Sequence, residues 1–177
     1  PRTTLVALAL TATCLVAQWN VDGNRRVDLR AYRRAVVSGL HGHLYDFGNQ
    51  EFRFLYPPFA AWVLRPLAWV SETTATHAWL VVSVLAGLAA LTALVAATGI
   101  ADRTDGSLDG GRALLFGAMA LWTAPAVETL RYGQINAVVA ALICADLVAL
   151  RRGHRAAGLG TGLAAAIKLT PLALVVA

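Results

Sequence analysis

Four polar residues lie in apolar or amphipathic stretches, where neither helix formation nor membrane crossing requires them. Lys168, the only lysine, lies within an apolar run, and Asp28 begins a segment whose apolar residues recur at helical spacing. Gln134 and Asn136 interrupt another apolar stretch just after Arg131. A carboxylate can accept a proton, a cation can hold an anion, and amide side chains suit hydroxyl-rich molecules. Each of these residues is therefore a candidate for binding or catalysis.

Each candidate also has a purely structural interpretation. A charge within a bilayer costs about 2.5–3.5 kcal/mol on insertion scales, which favours a functional role for Lys168, but its ammonium could also snorkel to the interface. Asp28 could instead be an N-terminal charge or cap of its helix, and Asp22 and Asp46 are competing carboxylates in the same loop. The amide pair could be a polar turn or an ordinary contact between helices.

The composition is that of a chain surrounded by lipid. Hydrophobic residues make up 58% and charged residues 14%, the mean hydropathy is +0.60, and the apolar residues come in long runs. We predict an all-α fold, a polytopic transmembrane helix bundle. The predicted spans lie near residues 3–17, 58–70, 78–100, 113–127, 135–150 and 156–177, and a polar loop covers 18–57.

The run at 58–70 is shorter than the roughly 20 residues that a crossing helix needs, and it contains Arg65 and Pro66. We therefore expect it to be re-entrant, tilted or only half a span. Its path decides whether Asp28 and the turn at 133–136 face the same side of the membrane, as a shared site requires. The first residue is not Met and the last residues are apolar, so we also expect a fragment truncated at both ends.

The polar loop contains an amphipathic segment, which we expect to be a helix on the membrane surface. Arg30, Arg33 and Arg34 lie off its apolar face. These arginines could hold anionic lipid headgroups or a lipid-linked phosphate, or they could simply anchor the helix. The apolar face consists of Leu29, Tyr32, Val36 and Leu40.

No motif indicates a cofactor. Cys14 and Cys144 both lie in apolar runs and form neither a metal-ligand spacing nor a disulfide framework. There is no glycine-rich nucleotide loop, and the first loop lacks an Asp-x-Asp pair. The isoelectric point near 9.9 reflects membrane-facing arginines more than nucleic-acid binding. We therefore predict a lipid bilayer as partner, no nucleic acid, no cofactor and no metal.

Five short motifs follow one another along the chain. They are Asp-Leu-Arg-Ala-Tyr-Arg at 28–33, Leu-Tyr at 44–45, Phe-Leu-Tyr-Pro-Pro-Phe-Ala at 54–60, Gly-Gln-Ile-Asn at 133–136 and Lys-Leu-Thr-Pro at 168–171. This ordered set resembles the glycosyltransferase 87 family of GT-C membrane glycosyltransferases, which includes actinobacterial polyprenyl-phosphate-mannose-dependent α-mannosyltransferases. The resemblance covers most of the chain.

The resemblance implies an enzyme that moves a mannosyl or related unit from a polyprenyl-phosphate-sugar to a glycolipid or polysaccharide acceptor, with inversion. It also implies a multi-pass plasma-membrane protein whose active site is extracytoplasmic. Asp28 matches the catalytic base of the first extracytoplasmic loop. By this resemblance and their chemistry, Lys168, Arg131 and Arg30 are expected to bind the donor phosphate, and Tyr32, Tyr56, Gln134 and Asn136 to bind substrate.

Two other functions are compatible with these features. A transporter would also have a buried lysine, broken helices and polar groups at helix ends. It has little need, however, for a surface helix headed by a carboxylate and followed by Tyr-Pro-Pro. A GT-C enzyme that transfers arabinosyl or glucosyl units would show the same motif order.

Overall fold

The computed structural model describes residues 2–21, 26–45, 53–98 and 109–174. These residues form eight α-helices and no β-strand, so the predicted all-α fold is confirmed. Short 3₁₀ turns at Arg65–Ala68 and Thr170–Leu174 follow the third and eighth helices. The helices are α1 (Arg2–Trp19), α2 (Val27–Gly39), α3 (Pro58–Leu64), α4 (Glu72–Thr98), α5 (Gly110–Ala120), α6 (Ala124–Tyr132), α7 (Asn136–Arg151) and α8 (Leu159–Ile167).

Two of the described helices, α1 and α4, are long and apolar enough to cross a membrane. The helices α5 and α6 are a third candidate if they form one span, bent by 67° at the break between them. Pro125 lies in the first turn of α6, where its missing N–H costs no helical hydrogen bond. The apolar run at 113–127 is therefore shared between two helices.

The run at 58–70 forms the seven-residue helix α3 and the 3₁₀ turn after it. Pro57 is the N-cap of α3, and Pro58 is its first residue. Proline suits that position because its φ is already helical and no N–H is needed there. The two prolines thus begin α3 directly after Tyr56 and fix the path of the chain there.

Helix α4 is the centre of the bundle and packs against α1, α5 and α7. Helix α8 packs against α7 and reaches α3. Asp146 of α7 accepts hydrogen bonds from the backbone N–H groups of Gly158 and Gly160 and from the Thr161 hydroxyl at the start of α8. These bonds satisfy free N–H groups of a helix start and hold α7 and α8 antiparallel.

The predicted amphipathic helix is α2. Its buried face includes Leu29, Tyr32 and Val36, whereas Arg34 is exposed. Leu40 is the C-cap residue and is exposed. The buried face packs on α3 and the following 3₁₀ turn. This packing places the N-terminal end of α2, with Asp28 in its first turn, beside the end of α6.

Candidate active site

The turn between α6 and α7 contacts both α4 and α2. Gly133 ends α6 in the left-handed conformation, with φ of +70°, which glycine adopts without steric cost. Its carbonyl accepts a 2.9 Å hydrogen bond from Trp79 Nε1 of α4. A Cβ atom at position 133 would lie 2.8 Å from Leu29 Cβ of α2. The absence of a side chain at Gly133 therefore permits the close approach of α2.

A continuous polar network begins at Asp28. The Gln134 side chain forms a hydrogen bond with the Asp28 carboxylate. Asn136 Nδ2 donates to Gln134 Oε1 at 2.7 Å, and Lys168 Nζ donates to Asn136 Oδ1 at 2.7 Å. We call Asp28, Gln134, Asn136 and Lys168 the polar network. It joins a carboxylate to an ammonium through two amides.

Lys168 lies just beyond a helix rather than within one. Helix α8 ends at Ile167, and Lys168 has an extended backbone. Its Nζ lies 5.8 Å from the centroid of the Tyr56 ring, within the range of a cation–π contact. The helix break thus directs the only lysine towards Asn136 and Tyr56.

Tyr32 is buried beside the polar network and contacts Tyr56 and the 133–136 turn. Its hydroxyl shares a 3.0 Å hydrogen bond with the Tyr56 hydroxyl and accepts a 3.3 Å bond from the Ile135 backbone N–H. Its ring packs edge-on against Phe54 and Trp79. Because Tyr32 is only 1% exposed, it holds Tyr56 and the 133–136 turn in place, whereas Tyr56 is only partly buried.

Burial determines the direction of the pKa shifts in the site. Desolvation raises the pKa of Asp28, while the hydrogen bond from Gln134 and the positive charge of Lys168 act in the opposite direction. Desolvation also raises the pKa of Tyr32, so its hydroxyl stays protonated. A raised pKa makes the Asp28 carboxylate a stronger proton acceptor than an exposed aspartate.

Two arginines that were predicted to bind the donor phosphate are not part of the polar network. Arg131 forms a 3.1 Å ion pair with Glu128 on the same helix. Arg30 follows Asp28 by two residues, which is about 200° around α2, so the two side chains leave different sides of the helix. Their role at a phosphate stays a prediction. The competing carboxylates Asp22 and Asp46 lie outside the described residues.

Arg26 is a residue of the site region that the sequence did not distinguish from its neighbours. It is 1% exposed, and its Nη2 donates a 2.6 Å hydrogen bond to the Gln18 carbonyl near the end of α1. Its Nε and Nη1 atoms have no hydrogen-bond partner within the described part of the chain. Desolvation lowers its pKa. Residue type cannot reveal such burial, because arginines are common in polar loops.

Within the four described ranges, no group of three or more His, Cys, Asp or Glu side chains could hold a metal ion. The polar groups of the site are instead a carboxylate, amides, phenols and an ammonium. These groups can accept a proton, bind hydroxyls and bind an anion.

The fold is that of a helical membrane protein, and a cluster of polar side chains lies at the ends of its helices. The chain belongs to glycosyltransferase family 87, which matches residues 54–177. The predicted family is therefore confirmed. Tyr56, Gln134, Asn136 and Lys168 fall within the matched residues, and Asp28 precedes them. No solved structure shows a significant match to the chain.

Curated relatives come from mycobacteria. The polyprenol-phosphate-mannose-dependent alpha-(1-2)-phosphatidylinositol pentamannoside mannosyltransferase of Mycobacterium tuberculosis is 32% identical over 160 residues, covering 85% of this chain and 35% of that protein. The protein with the same description from Mycolicibacterium smegmatis is 36% identical, with 85% and 36% covered. A phosphatidylinositol mannoside mannosyltransferase of M. smegmatis, also polyprenol-phosphate-mannose-dependent, is 30% identical, with 93% and 41% covered. The chain thus spans less than half the length of these relatives.

Proposed function

We propose that the full-length protein is a membrane glycosyltransferase that moves a mannosyl or related unit from a polyprenyl-phosphate donor to a glycolipid or polysaccharide acceptor. Family membership and the names of the relatives support the donor class. Among acceptors, the relatives favour a phosphatidylinositol mannoside. The observation that carries the proposal is the polar network, because it joins a proton acceptor to a cation across two sugar-binding side chains.

In the proposed reaction, Asp28 is the general base. It accepts the proton of an acceptor hydroxyl as that oxygen forms a bond with the anomeric carbon. The bond between the anomeric carbon and the phosphate oxygen breaks at the same time, and polyprenyl phosphate leaves with the electron pair. This single displacement inverts the anomeric configuration.

Lys168 stabilises the leaving phosphate. An ammonium in a site shielded from water acts strongly on the charge that builds up in the transition state. An in-line displacement needs its base and its leaving group on opposite sides of the reacting carbon, and Asp28 and Lys168 occupy the two ends of the polar network. Gln134, Asn136 and Tyr56 lie where they can bind sugar hydroxyls and the sugar face.

The test uses the full-length protein in proteoliposomes with radiolabelled polyprenyl-phosphate mannose and phosphatidylinositol mannosides. Asp28→Asn keeps the shape of the side chain but cannot accept a proton at neutral pH. We expect it to lower kcat by about 10²–10⁴-fold, the usual contribution of a general base. The control is Glu72→Gln, which removes an exposed carboxylate at the start of α4 and should leave kcat unchanged.

Two results would overturn the proposal. Transfer at the wild-type rate by folded Asp28→Asn would exclude Asp28 as the base. The absence of labelled product from folded wild-type protein with every acceptor would favour the transporter.

We also propose that the 58–70 run does not cross the membrane and that the site faces the extracytoplasmic side of the plasma membrane. Gln134 contacts Asp28, and Asn136 contacts Lys168, so these residues share one side. Helix α4 crosses the membrane, and the bent pair α5 and α6 crosses it again in the opposite direction. Gln134 therefore lies on the side of the membrane on which α4 begins. Asp28 is on that side only if 58–70 does not cross.

Single cysteines at Ser38 and Ser71 should then both react with an impermeant maleimide outside intact cells; labelling of only one would contradict this topology.

A further inference from the structure

A cavity of about 290 Å³ lies beside the polar network, between α4, α6 and α7. Asn136 lines the cavity and also accepts the hydrogen bond from Lys168 Nζ. The remaining walls are mostly apolar and include many small residues, such as Gly87 of α4, Ala126 of α6 and Ala140 of α7. Its volume equals that of about ten water molecules in the liquid, and the cavity is partly open rather than fully enclosed.

The cavity is long, and its two ends differ in polarity. Along α4 it extends from Ser83 to Leu91, which is about 12 Å at 1.5 Å per residue. Ser83 lies one helical turn after Trp79, whose indole bonds to Gly133, so the Ser83 end is next to the polar network. Leu91 lies two turns further along α4 and marks the apolar end. This gradient suits an amphiphile with its polar group at the Asn136 end.

Ser83 provides a second sign of a ligand. Its side chain is 1% exposed, and its Oγ has no hydrogen-bond partner within the described residues. Buried hydroxyls in folded proteins almost always have a partner, because an unpaired one has lost its water without compensation. A ligand with a hydrogen-bond acceptor at this end of the cavity would supply that partner.

We propose that the cavity holds the phosphate-proximal isoprene units of the polyprenyl donor, with the phosphate at Lys168 and Asn136, where one of its oxygens accepts the hydrogen bond from Ser83 Oγ. This inference rests on the proposed function. The isoprene chain is attached to the phosphate, and Lys168 Nζ lies 2.7 Å from Oδ1 of the cavity-lining Asn136, so an isoprene chain that leaves the phosphate can enter the cavity directly.

The first test fills the cavity in the full-length protein. Ala140→Leu adds a larger side chain to the α7 wall, and Ala145→Leu makes the same change at an exposed position of the same helix. We expect Ala140→Leu to raise KM for polyprenyl-phosphate mannose by about tenfold or more, in line with the effect of altered fit in an apolar pocket. The KM for the glycolipid acceptor should not change, and Ala145→Leu should match the wild type. A selective rise in the acceptor KM, or an unchanged donor KM, would overturn the proposal.

The second test needs neither catalysis nor a variant that must fold. Polyprenyl phosphate with a diazirine in its phosphate-proximal isoprene unit is photolysed with the wild-type protein in proteoliposomes, and the labelled peptides are identified. Labelling of α4 around Ser83 to Leu91 and of α7 around Ala140 is expected. If transfer proceeds but these peptides are unlabelled, another part of the longer protein fills the cavity and the proposal is wrong, while the proposed function stands. If these peptides are labelled but no mannosyl transfer occurs, the proposed site for the isoprene chain stands and the proposed function fails.

Discussion

Replacing Gly133 by Ala tests whether the close approach of α2 to the turn after α6 positions Asp28, the proposed catalytic base. The new Cβ would lie 2.8 Å from Leu29 Cβ, whereas non-bonded carbon atoms prefer about 3.5–4.0 Å. Helix α2 must therefore move by about 1 Å relative to the turn. Asp28 is adjacent to Leu29, so this movement changes its position relative to Gln134.

The expected loss of activity follows from that displacement. Misplacing a catalytic group by about 1 Å can lower the rate by about 10²-fold, which corresponds to about 2.7 kcal/mol of activation free energy. The left-handed φ of +70° at Gly133 adds a cost of about 1–2 kcal/mol to folding for any residue with a Cβ. We therefore expect Gly133→Ala to lower kcat for mannosyl transfer by about 100-fold and to lower thermal stability moderately.

Gly153→Ala separates the two effects. Gly153 also has a positive φ, +63°, but no atom lies within 4 Å of an added Cβ. This control should lose only the stability that the left-handed φ costs, without the added cost of the Leu29 contact, and should keep the wild-type kcat. The assay is transfer from labelled polyprenyl-phosphate mannose by full-length protein, with thermal unfolding in detergent measured in parallel. A wild-type kcat for Gly133→Ala, or an equal loss of kcat for Gly153→Ala, would refute the reasoning.

Two further predictions concern the tyrosine pair and the pH dependence. Tyr32→Phe leaves the buried Ile135 N–H without its 3.3 Å acceptor and should lower the free energy of unfolding by about 1–3 kcal/mol. Tyr132→Phe, at a residue 40% exposed, should not lower it, and equal stability of the two variants would contradict this role. Because burial raises the pKa of Asp28, kcat/KM should fall as the pH drops through a value above that of an exposed aspartate, since only the carboxylate accepts a proton. Gln134→Ala removes a hydrogen bond that favours the carboxylate, so it should move this limb to still higher pH; a shift to lower pH would exclude Asp28 as the titrating base.

Local patterns were sufficient for the helical class and for the buried face of α2. The length of the apolar runs predicts membrane helices, and the spacing of Leu29, Tyr32 and Val36 predicts an amphipathic helix, because both depend on neighbouring residues. The same patterns could not show that the 113–127 run is divided between α5 and α6. Pro125 interrupts this run, but a proline can either kink a helix or begin one, and the surrounding packing decides which.

The candidate residues could be chosen by type, since a lysine or an amide in an apolar stretch is conspicuous in any sequence. The family resemblance predicted that they share one site, but it could not predict which of them touch. Asp28, Gln134 and Lys168 are far apart in the chain, and their contacts depend on how α2, α6 and α8 pack. Three tertiary features decide it: the left-handed Gly133 that admits α2, the Trp79 bond that holds the turn, and the end of α8 just before Lys168. Hydrophobic pattern states which faces are buried, whereas hydrogen-bond partners across the bundle depend on the relative positions of whole helices.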